Sequence, residues 1–310
     1  MSLVVTGTVS IDSVYTPRDG HREHVLGGSC TYFAAGACLF CPTRVVGVVG
    51  EDFPAEFRRT FEGFEGIDLA GLETRAGSKT FRWGGKYLDN MDQRETLFTE
   101  LNVLGERPPT VPKGFKDSKV VFLANSHPAV QLGLLDQFPS PALAVADTMD
   151  LWIETERETL MALLGRVDGL VLNYDEAEQL TGRTNTVSAA LHMLDMGPSF
   201  VVVKKGEHGC ILAHRDGLAA LPAYPAEVVV DPTGAGDSFA GGMMGWLARG
   251  LANGEISEPV SFDAIRRSLA HGTVTASFTI ESFGLERLGS ISGDDLGRRY
   301  GEFAAMMHLG

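Results

Sequence analysis

Residues 231–242, with the sequence Asp-Pro-Thr-Gly-Ala-Gly-Asp-Ser-Phe-Ala-Gly-Gly, combine small residues with carboxylates in a pattern that suits anion chemistry. They follow the apolar run 228–230 and precede a long helical pattern. The small residues Gly234, Ala235 and Gly236 allow a tight turn that presents successive backbone N–H groups where a helix begins. Such donors, together with the helix dipole, form an anion-binding site.

Asp237 follows this loop directly, so its carboxylate lies where the negative charge of a bound anion is concentrated. One explanation is chemical: the carboxylate is a general base for a hydroxyl that attacks a phosphoryl group. The other is structural, because Asp is a favoured cap at the start of a helix. The segment is neither a Walker loop, since no Gly-Lys-Ser/Thr follows the glycines, nor a GxGxxG dinucleotide fingerprint after the first strand.

Short apolar runs alternate with helical patterns along most of the chain. The predicted strands are Leu3–Thr6, 45–49, Val120–Leu123, Leu143–Ala146, 169–172 and 200–203. The predicted helices are 29–39, 53–64, 154–164, 175–180, 187–196, 236–249, 262–280 and 294–307. This alternation predicts an α/β fold with a doubly wound, mostly parallel sheet flanked by helices.

The pattern changes between residues 67 and 102, where exposed antiparallel strands and a polar turn at 89–93 are expected. An excursion of this length is long enough to be a lid. We therefore predict a single domain over residues 1–310, with a β lid formed mainly by 67–102 plus the segment 13–26.

The excursion carries several cationic and aromatic side chains: Arg82, Trp83, Lys86, Tyr87 and Arg94. Cations near a lid suit an anionic substrate such as a sugar acid or a sugar phosphate. The alternative is that they are ordinary edge-strand charges, which prevent aggregation.

The composition narrows the classes of function. The chain has 310 residues, 26 Lys+Arg against 40 Asp+Glu, a net charge of −14 and 44% hydrophobic residues. These values argue for a sizeable core and against a disordered chain or a basic face for nucleic acid. Cys38 and Cys41 form a CxxC without a second pair for zinc, so buried thiols are expected. The apolar runs are strand-sized and the amino terminus enters a strand without a charged leader, which favours the cytoplasm over a membrane.

The segment Asp-Pro-Thr-Gly-Ala-Gly-Asp-Ser-Phe closely resembles the carboxyl-terminal signature of the ribokinase-like (PfkB) carbohydrate kinase family. Further similarities extend along nearly the whole chain. The motifs that resemble those of the family are Ser10-Ile-Asp12, Gly27-Gly28, Asn173-Tyr-Asp-Glu176 and Lys205-Gly206-Glu-His-Gly209. The resemblance implies a ribokinase-like fold and transfer of the ATP γ-phosphate to an alcohol of a sugar or nucleoside.

By this resemblance, Asp237 deprotonates the acceptor hydroxyl. The amides of Gly234, Ala235 and Gly236 stabilise charge on the phosphoryl group. Asp12 is implied to accept hydrogen bonds from two vicinal hydroxyls, although a carboxylate after a strand also caps turns.

The nucleotide-side residues are also implied by the resemblance. Asn173 and Glu176 would organise water and Mg²⁺ around the phosphates, whereas without the resemblance they read as an ordinary helix start. Lys205, Gly206 and Gly209 of the motif would lie near the nucleotide. Either Lys204 or Lys205 would approach its phosphates, with a solvated lysine after a strand as the alternative. Asp231 and Thr233 match half of a monovalent-cation (K⁺) site, to which the segment 282–284 is a candidate second half.

The di-glycine motif departs from the pattern of many members. Gly27 and Gly28, implied to bring backbone close to the ligand and to allow lid movement, are followed after three residues by Tyr32 where those members have Asn. The ring of Tyr32 either stacks on a sugar face or nucleobase, or packs in the core. This departure weakens an assignment to ribose or fructose.

The leading interpretation is an ATP- and Mg²⁺-dependent kinase of a sugar or sugar derivative. A nucleoside kinase is the alternative, which Tyr32 favours. A non-catalytic sugar or nucleotide sensor is disfavoured by the intact Asp237 and its loop, and an NAD-dependent oxidoreductase by the lack of the early glycine fingerprint. In the family the lid excludes water and offers a surface for a homodimer. Neither nucleic acid nor a membrane is an expected partner.

Overall fold

The computed structural model describes residues 2–17 and 20–308. The strands, numbered in chain order, are β1 (Leu3–Thr6), β2 (Ser10–Thr16), β3 (Gly20–Gly27), β4 (Thr43–Gly50), β5 (Ile67–Arg75), β6 (Phe81–Tyr87), β7 (Arg94–Glu100), β8 (Val120–Leu123), β9 (Leu143–Ala146), β10 (Gly169–Asn173), β11 (Phe200–Lys204), β12 (Cys210–His214) and β13 (Gly217–Leu221). The helices are α1 (Ser29–Ala37), α2 (Ala55–Glu62), α3 (Pro128–Leu135), α4 (Asp150–Thr155), α5 (Arg157–Leu164), α6 (Tyr174–Thr181), α7 (Thr186–Leu194), α8 (Ala235–Asn253), α9 (Phe262–Thr279) and α10 (Gly293–Met306).

The main sheet has nine strands in the order β13-β12-β11-β10-β9-β8-β1-β4-β5. From β5 to β11 every neighbouring pair is parallel, and β12 and β13 add an antiparallel hairpin at one edge. The predicted doubly wound, mostly parallel α/β fold is therefore confirmed. Strand β1 lies where the order reverses, with β4 on one side and β8 on the other. In such sheets ligands bind beyond the carboxyl ends of the strands at this switch point.

Two apolar cores lie on the opposite faces of the main sheet, because alternate residues of each strand point to opposite sides. In β1, Leu3 and Val5 belong to the core beneath α1, α2, α8, α9 and α10, whereas Val4 belongs to the core beneath α3 to α7. Both faces of the sheet are thus covered. This explains why its strands read as continuous apolar runs in the sequence.

A small sheet, defined by β2, β3, β6 and β7, lies beside the main one in the order β3-β2-β6-β7. Its β2–β6 pair is parallel, and its β6–β7 pair is an antiparallel hairpin whose turn includes residues 89–93, as expected.

The bounds of this excursion differ from the expectation. Residues 67–75 form β5, which pairs with β4 in parallel from Thr43↔Ile67 to Gly50↔Arg75 and so belongs to the main sheet. A half-buried edge strand resembles an exposed strand in its pattern, which explains the difference. Within the predicted segment 13–26, positions 18 and 19 lie outside the described residues and the others fall in β2, β3 and the turn between them.

Other elements also differ from their predicted bounds. The predicted helix 154–164 is divided between α4 and α5, because Glu156 has the non-helical angles φ −127° and ψ 32°. Helix α3 and the β12–β13 hairpin were not predicted. The Asp216-Gly217 dipeptide, a strong hairpin signal, would have indicated the hairpin.

The cysteines match the expectation of unpaired thiols: Cys30, Cys41 and Cys210 are buried, and Cys38 is half-buried. Among the described residues, every helix is too short or too polar to cross a membrane.

Candidate active site

A large cleft lies between the small sheet and the carboxyl ends of the central main-sheet strands. Its volume is about 1510 Å³, whereas a pocket for one drug-sized ligand has a volume of about 300–1,000 Å³. The cleft therefore has room for two ligands side by side. Its location agrees with the switch-point rule, and the predicted loop 234–237 lies in its wall.

Gly234 begins the anion loop, defined here as residues 231–237. It is the N-cap of α8 with φ 76° and ψ 0°, a left-handed conformation that favours glycine. A Cβ atom at this position would lie 2.2 Å from the ring of Tyr32. Both the backbone angle and the close approach of Tyr32 therefore require glycine.

The amides of the anion loop are not equivalent. The N–H of Ala235 donates a hydrogen bond to the carbonyl of Pro232 (3.1 Å), which closes a turn. Within the described part of the chain, the amides of Gly234 and Gly236 donate to no other residue. Of the three predicted donors, these two are therefore available to a ligand in this structure.

Asp237 lies in the first turn of α8 and lines the cleft. Burial raises the pKa of its carboxyl group, and the nearby cations Lys204 and Arg94 lower it. Opposing influences of this kind bring a carboxyl group towards the pKa of a useful general base. Asp237 is thus placed both at a helix start and in a cleft with cations.

The floor of the cleft is defined here as the side formed by the carboxyl ends of the main-sheet strands and the start of α8. Asp147 and Lys204 line this floor together with Asp237. Asp147 follows β9 and is only 5% exposed, and among the described residues its Oδ1 has no hydrogen-bond partner. Burial and the neighbouring Asp237 carboxylate raise the pKa of Asp147 well above its usual range. Lys204 ends β11, and its Nζ lies 2.7 Å from where a Cβ of Gly236 would be.

Sequence reasoning missed Asp147 and preferred Lys205 to Lys204. Each of the two floor residues comes at the carboxyl end of a predicted parallel strand, which is the signal that would have found them. Lys205 itself is not among the residues that line the cleft, whereas Gly206 and Gly209 are.

Asn173 and Glu176 form a capping box at the start of α6. The backbone N–H of Asn173 donates to Glu176 Oε2, and the backbone N–H of Glu176 donates to Asn173 Oδ1, both at 2.8 Å. Both side chains also line the cleft. Burial raises the pKa of Glu176, and Lys204 opposes this shift. Asn173 and Glu176 therefore cap the start of α6, as the structural alternative predicted, and they also line the floor of the cleft.

Asp12 lies at the other end of the cleft, on β2 of the small sheet. It is 4% exposed, its Oδ1 has no hydrogen-bond partner, and burial raises its pKa to about 7. A Cβ on Gly27 would lie 1.9 Å from Asp12 Oδ2, and one on Gly28 (φ 98°) would lie 2.5 Å from the Thr8 carbonyl oxygen. Glycine is therefore needed at position 27 for the backbone to pass beside this carboxylate, and at position 28 for it to pass beside the Thr8 carbonyl.

Tyr32 is placed beneath the anion loop. Its side chain is 1% exposed, its ring supports Gly234, and its hydroxyl has no hydrogen-bond partner. Of the two interpretations of this residue, packing in the core agrees with the structure. The ring is buried, although Tyr32 is among the residues that line the cleft.

Asp231 and Thr233 lie at the start of the anion loop. Asp231 is 1% exposed. Its Oδ1 accepts a hydrogen bond from the Thr233 backbone amide (2.9 Å), and its Oδ2 has no hydrogen-bond partner in the part of the chain that the structure describes. The Asp231 amide donates to the carbonyl of Ile280 (3.4 Å), close to the segment 282–284. The Thr233 hydroxyl donates to the hydroxyl of Tyr87 (3.1 Å), which connects the loop to the small sheet.

Comparison with known proteins identifies the family. The family model described as pfkB family carbohydrate kinase matches residues 2–288. The chain belongs to this family. It is 32% identical over 259 residues to a cytidine kinase of Thermococcus kodakarensis, a match that covers 81% of this chain and 90% of that protein. It is 27% identical over 228 residues to a nucleoside kinase of Methanothermobacter thermautotrophicus, with 72% of each chain covered.

Solved structures of pfkB-type kinases share the fold. A nucleoside kinase of Methanocaldococcus jannaschii superposes with a TM-score of 0.76 at 19% identity, over 97% of this chain and 99% of that one. A nucleoside kinase of Burkholderia thailandensis in complex with inosine gives a TM-score of 0.74 at 18% identity, over 98% and 99% of the two chains. At these identities the likeness shows the fold alone.

As a pfkB family kinase, the protein transfers the γ-phosphate of ATP to an alcohol hydroxyl of a sugar or sugar derivative. The cleft has the two ends that such a transfer needs. One carries Asp12 and Gly28, whereas Gly27 is not among the lining residues, and the other carries the anion loop with Asp147, Lys204 and Glu176 around it.

Proposed function

We propose that the acceptor of this kinase is a nucleoside, phosphorylated on a hydroxyl of its ribose. The observation that carries this proposal is the apolar wall of the cleft on the side of the small sheet. Its members come from β4, β6 and the segment that follows β7: Val48, Phe81, Trp83, Leu101 and Val103. A free sugar has only a small apolar C–H face and carries hydroxyls around its ring, whereas a nucleobase has flat faces free of hydroxyls that bury well on such a wall.

The two relatives described above, a cytidine kinase and a nucleoside kinase, support the same substrate class. In this proposal, Asp12 accepts hydrogen bonds from ribose hydroxyls, and the base lies on the apolar wall. Asp237 takes the proton of the attacking hydroxyl, the new O–P bond forms, and the bond to the β-phosphate oxygen breaks to release ADP. The amides of Gly234 and Gly236 donate to the transferring phosphoryl group, a role worth about 3 kcal/mol for each donor.

We propose that Asp147 and Glu176 hold the Mg²⁺ that accompanies ATP. The unpartnered, buried Oδ1 of Asp147 fits such an ion, since Mg²⁺ prefers carboxylate oxygens. Among the described residues, no three acidic, histidine or cysteine side chains form a complete metal site. Phosphate oxygens and water would therefore complete the coordination. The bound ion would supply charge neutralisation on the phosphates.

A monovalent cation, K⁺ in the first instance, fits beside Asp231. Its Oδ2 is buried without a partner, and Thr233 and the chain near residues 282–284 lie close by. The cation would neutralise this carboxylate and hold the start of the anion loop in place.

The remaining proposals concern the setting of the site. Asn173, Gly206 and Gly209 would contact the nucleotide, and the small sheet would act as the lid of a single working domain over residues 1–310.

Strand β7 is exposed along its length, with Leu97 50% and Phe98 39% exposed, which suits a homodimer formed through the lid. We propose the cytoplasm as the location, and the net charge of −14 supports the expectation of no nucleic-acid partner. Sedimentation velocity at micromolar concentration tests the dimer, and a single monomeric species would contradict it.

ADP production across a panel of acceptors tests the substrate class. Cytidine, uridine, inosine, adenosine, ribose, fructose and a sugar acid are compared at equal concentration with Mg-ATP in K⁺ buffer. We expect kcat/KM for at least one nucleoside to exceed that for every free sugar. A free sugar or sugar acid as the best acceptor would overturn the nucleoside proposal and leave the kinase assignment intact.

Two further arms of the assay address the ions. Replacement of K⁺ by Na⁺ is expected to lower kcat, and equal rates in both would contradict a K⁺ site. Asp147→Asn is expected to raise the Mg²⁺ concentration that half-saturates ATP-dependent thermal stabilisation. An unchanged value would contradict the role of Asp147.

A further inference from the structure

Arg94 is the first residue of β7 and projects into the cleft from the small sheet. It pairs in register with Tyr87 of β6, and its guanidinium lies 5.6 Å from the centre of the Trp83 ring. Although β7 is exposed, Arg94 is among the residues that line the cleft. The indole of Trp83 therefore holds this cation on the side of the cleft.

The small sheet is fastened to the phosphate end of the cleft at two points near Arg94. Tyr87, which is opposite Arg94, accepts a hydrogen bond from the Thr233 hydroxyl of the anion loop (3.1 Å). Asp92, two residues before Arg94, accepts a hydrogen bond from the Tyr174 hydroxyl at the start of α6 (3.1 Å). These two bonds place Arg94 between the anion loop and the capping box.

Loss of solvent in the cleft lowers the pKa of the Arg94 guanidinium, but the neighbouring Tyr87 and three carboxylates, of Glu176, Asp150 and Asp237, raise it above its usual value. Lys204 faces part of the same group of carboxylates from the floor. Within the described chain, neither Arg94 nor Lys204 approaches a carboxylate within the 4.0 Å of an ion pair. The two cations lie on opposite sides of the cleft, and neither contacts the nearest carboxylates. The space between them suits a polyanion.

We propose that Arg94 is a catalytic residue that donates hydrogen bonds to the phosphoryl group during its transfer, from the side opposite Lys204. The planar guanidinium can donate to two phosphoryl oxygens at once. During transfer the charge is spread over these oxygens, so a donor fixed at this position stabilises the transition state more than the bound ATP. This role rests on the kinase reaction and is independent of which alcohol is the acceptor.

The test compares Arg94→Gln and Arg94→Lys with Lys86→Gln. Lys86 is exposed on the neighbouring strand β6 and is not among the cleft-lining residues, so its replacement removes one charge from the same sheet as a matched control. Thermal denaturation first checks that each variant is folded, as expected for exposed positions.

The first readout is steady-state turnover of Mg-ATP with the best acceptor of the panel. We expect Arg94→Gln to lower kcat by about 10²–10³-fold with less than a threefold change in the KM for ATP. Arg94→Lys should lower kcat by a smaller factor, because it keeps the positive charge. It should not restore the wild-type kcat, because lysine lacks the planar guanidinium that donates to two oxygens at once. Lys86→Gln should match the wild type. An unchanged kcat in Arg94→Gln overturns the proposal, and so does a loss confined to the KM.

The second readout needs no turnover and therefore separates the role of Arg94 from the choice of acceptor. Affinities for Mg-ADP and for Mg-ADP with aluminium fluoride, an analogue of the phosphoryl group in transfer, are measured by calorimetry. In Arg94→Gln the affinity for the fluoride complex should fall at least tenfold while that for ADP alone is retained. Equal weakening of both would show a ground-state phosphate contact, and weakening of neither would show no phosphate contact. Either result overturns the catalytic role.

Discussion

The floor of the cleft and the β6–β7 hairpin above it carry their charges in opposite environments. On the floor, Asp147 is 5% exposed and has a carboxylate oxygen without a partner. In the hairpin, every residue of β7 is exposed, including Arg94. A buried, unpartnered carboxylate destabilises the fold, whereas an exposed arginine costs almost nothing. The difference indicates that the floor holds buried carboxylates suited to a ligand, and that these carboxylates lower the stability of the fold.

The two cores of the main sheet explain how the floor is tolerated. Their packed strands and helices supply apolar burial on both faces, so a few unsatisfied groups at the strand ends are offset. The hairpin has no such core of its own beyond the small cluster around Val14, Tyr87 and Phe283. Substitutions at the two places should therefore separate into those that change chemistry together with stability and those that change chemistry alone.

The largest effect is expected on the floor, from Asp237→Asn. Loss of the general base should lower kcat by about 10²–10⁴-fold. Because burial raises the pKa of this carboxyl, the neutral amide should leave the melting temperature equal or higher. Turnover and thermal denaturation are measured beside Asp294→Asn, an exposed Asp in the first turn of α10. If Asp237→Asn were as active as this control, Asp237 would be only an acidic residue in the first turn of α8 and not the general base.

A smaller effect is expected from Lys204→Gln, with Lys205→Gln as its neighbour outside the cleft. Lys204 lowers the pKa of Asp237, so its removal should raise that pKa. Since the base must be ionised to accept a proton, the acid limb of the kcat/KM profile should move to higher pH, with about a 10–100-fold loss at pH 7. Lys205→Gln should follow the wild-type profile. The reverse ranking would restore the original preference for Lys205.

The smallest effect on turnover, and the clearest on stability, is expected from Asp12→Asn. Burial raises the pKa of Asp12 from 3.8 to about 7, so its folded carboxyl holds a proton that the unfolded chain releases. Below pH 4 the Asp12 carboxyl is protonated in both the folded and the unfolded wild type, so it does not reduce the free energy of unfolding. As the pH rises through 7, this part of the free energy of unfolding is lost. The amide avoids this loss, so the variant should be more stable above pH 7 by on the order of 4 kcal/mol.

Urea unfolding of the ligand-free Asp12→Asn variant and the wild type at pH 5 and pH 8 measures this effect. The advantage of the variant should be larger at pH 8, while its KM for the acceptor rises. A difference in stability that is the same at both pH values would mean that the Asp12 carboxyl is already ionised in the folded protein at pH 5. It would then resemble the exposed charges of the hairpin instead of the floor.

Much of the main sheet followed from periodicity, because strands buried on both faces are continuous apolar runs bounded by helices. The predicted strand Val120–Leu123 coincides with β8, and Leu143–Ala146 coincides with β9. The elements that were missed or misplaced are half-buried or short. Strand β5 was assigned to the excursion, since its alternating exposure does not distinguish the edge of a large sheet from a strand of a small one.

The site shows the same division. Gly234 and Asp237 were predicted because their chemistry is local: a left-handed glycine and a carboxylate at one helix start are neighbours in the chain. Asp147, Lys204 and Arg94 come from three separate strands, and only the order of the strands brings them together. Tyr32 shows the limit most clearly. Its position in a motif suggested a ligand contact, whereas packing placed its ring beneath Gly234.

The sequence by itself determined the fold class, through alternating patterns along the chain, and the anion loop with Asp237 as its candidate general base, through a pattern within one short segment. Tertiary structure alone decided which lysine faces the cleft, which carboxylates stay unpartnered on its floor, and which arginine of the hairpin reaches over it. Those properties depend on burial and on distances between strands that are far apart in the chain. Local propensity carries no information about such distances, since they are set by how the two sheets pack against each other.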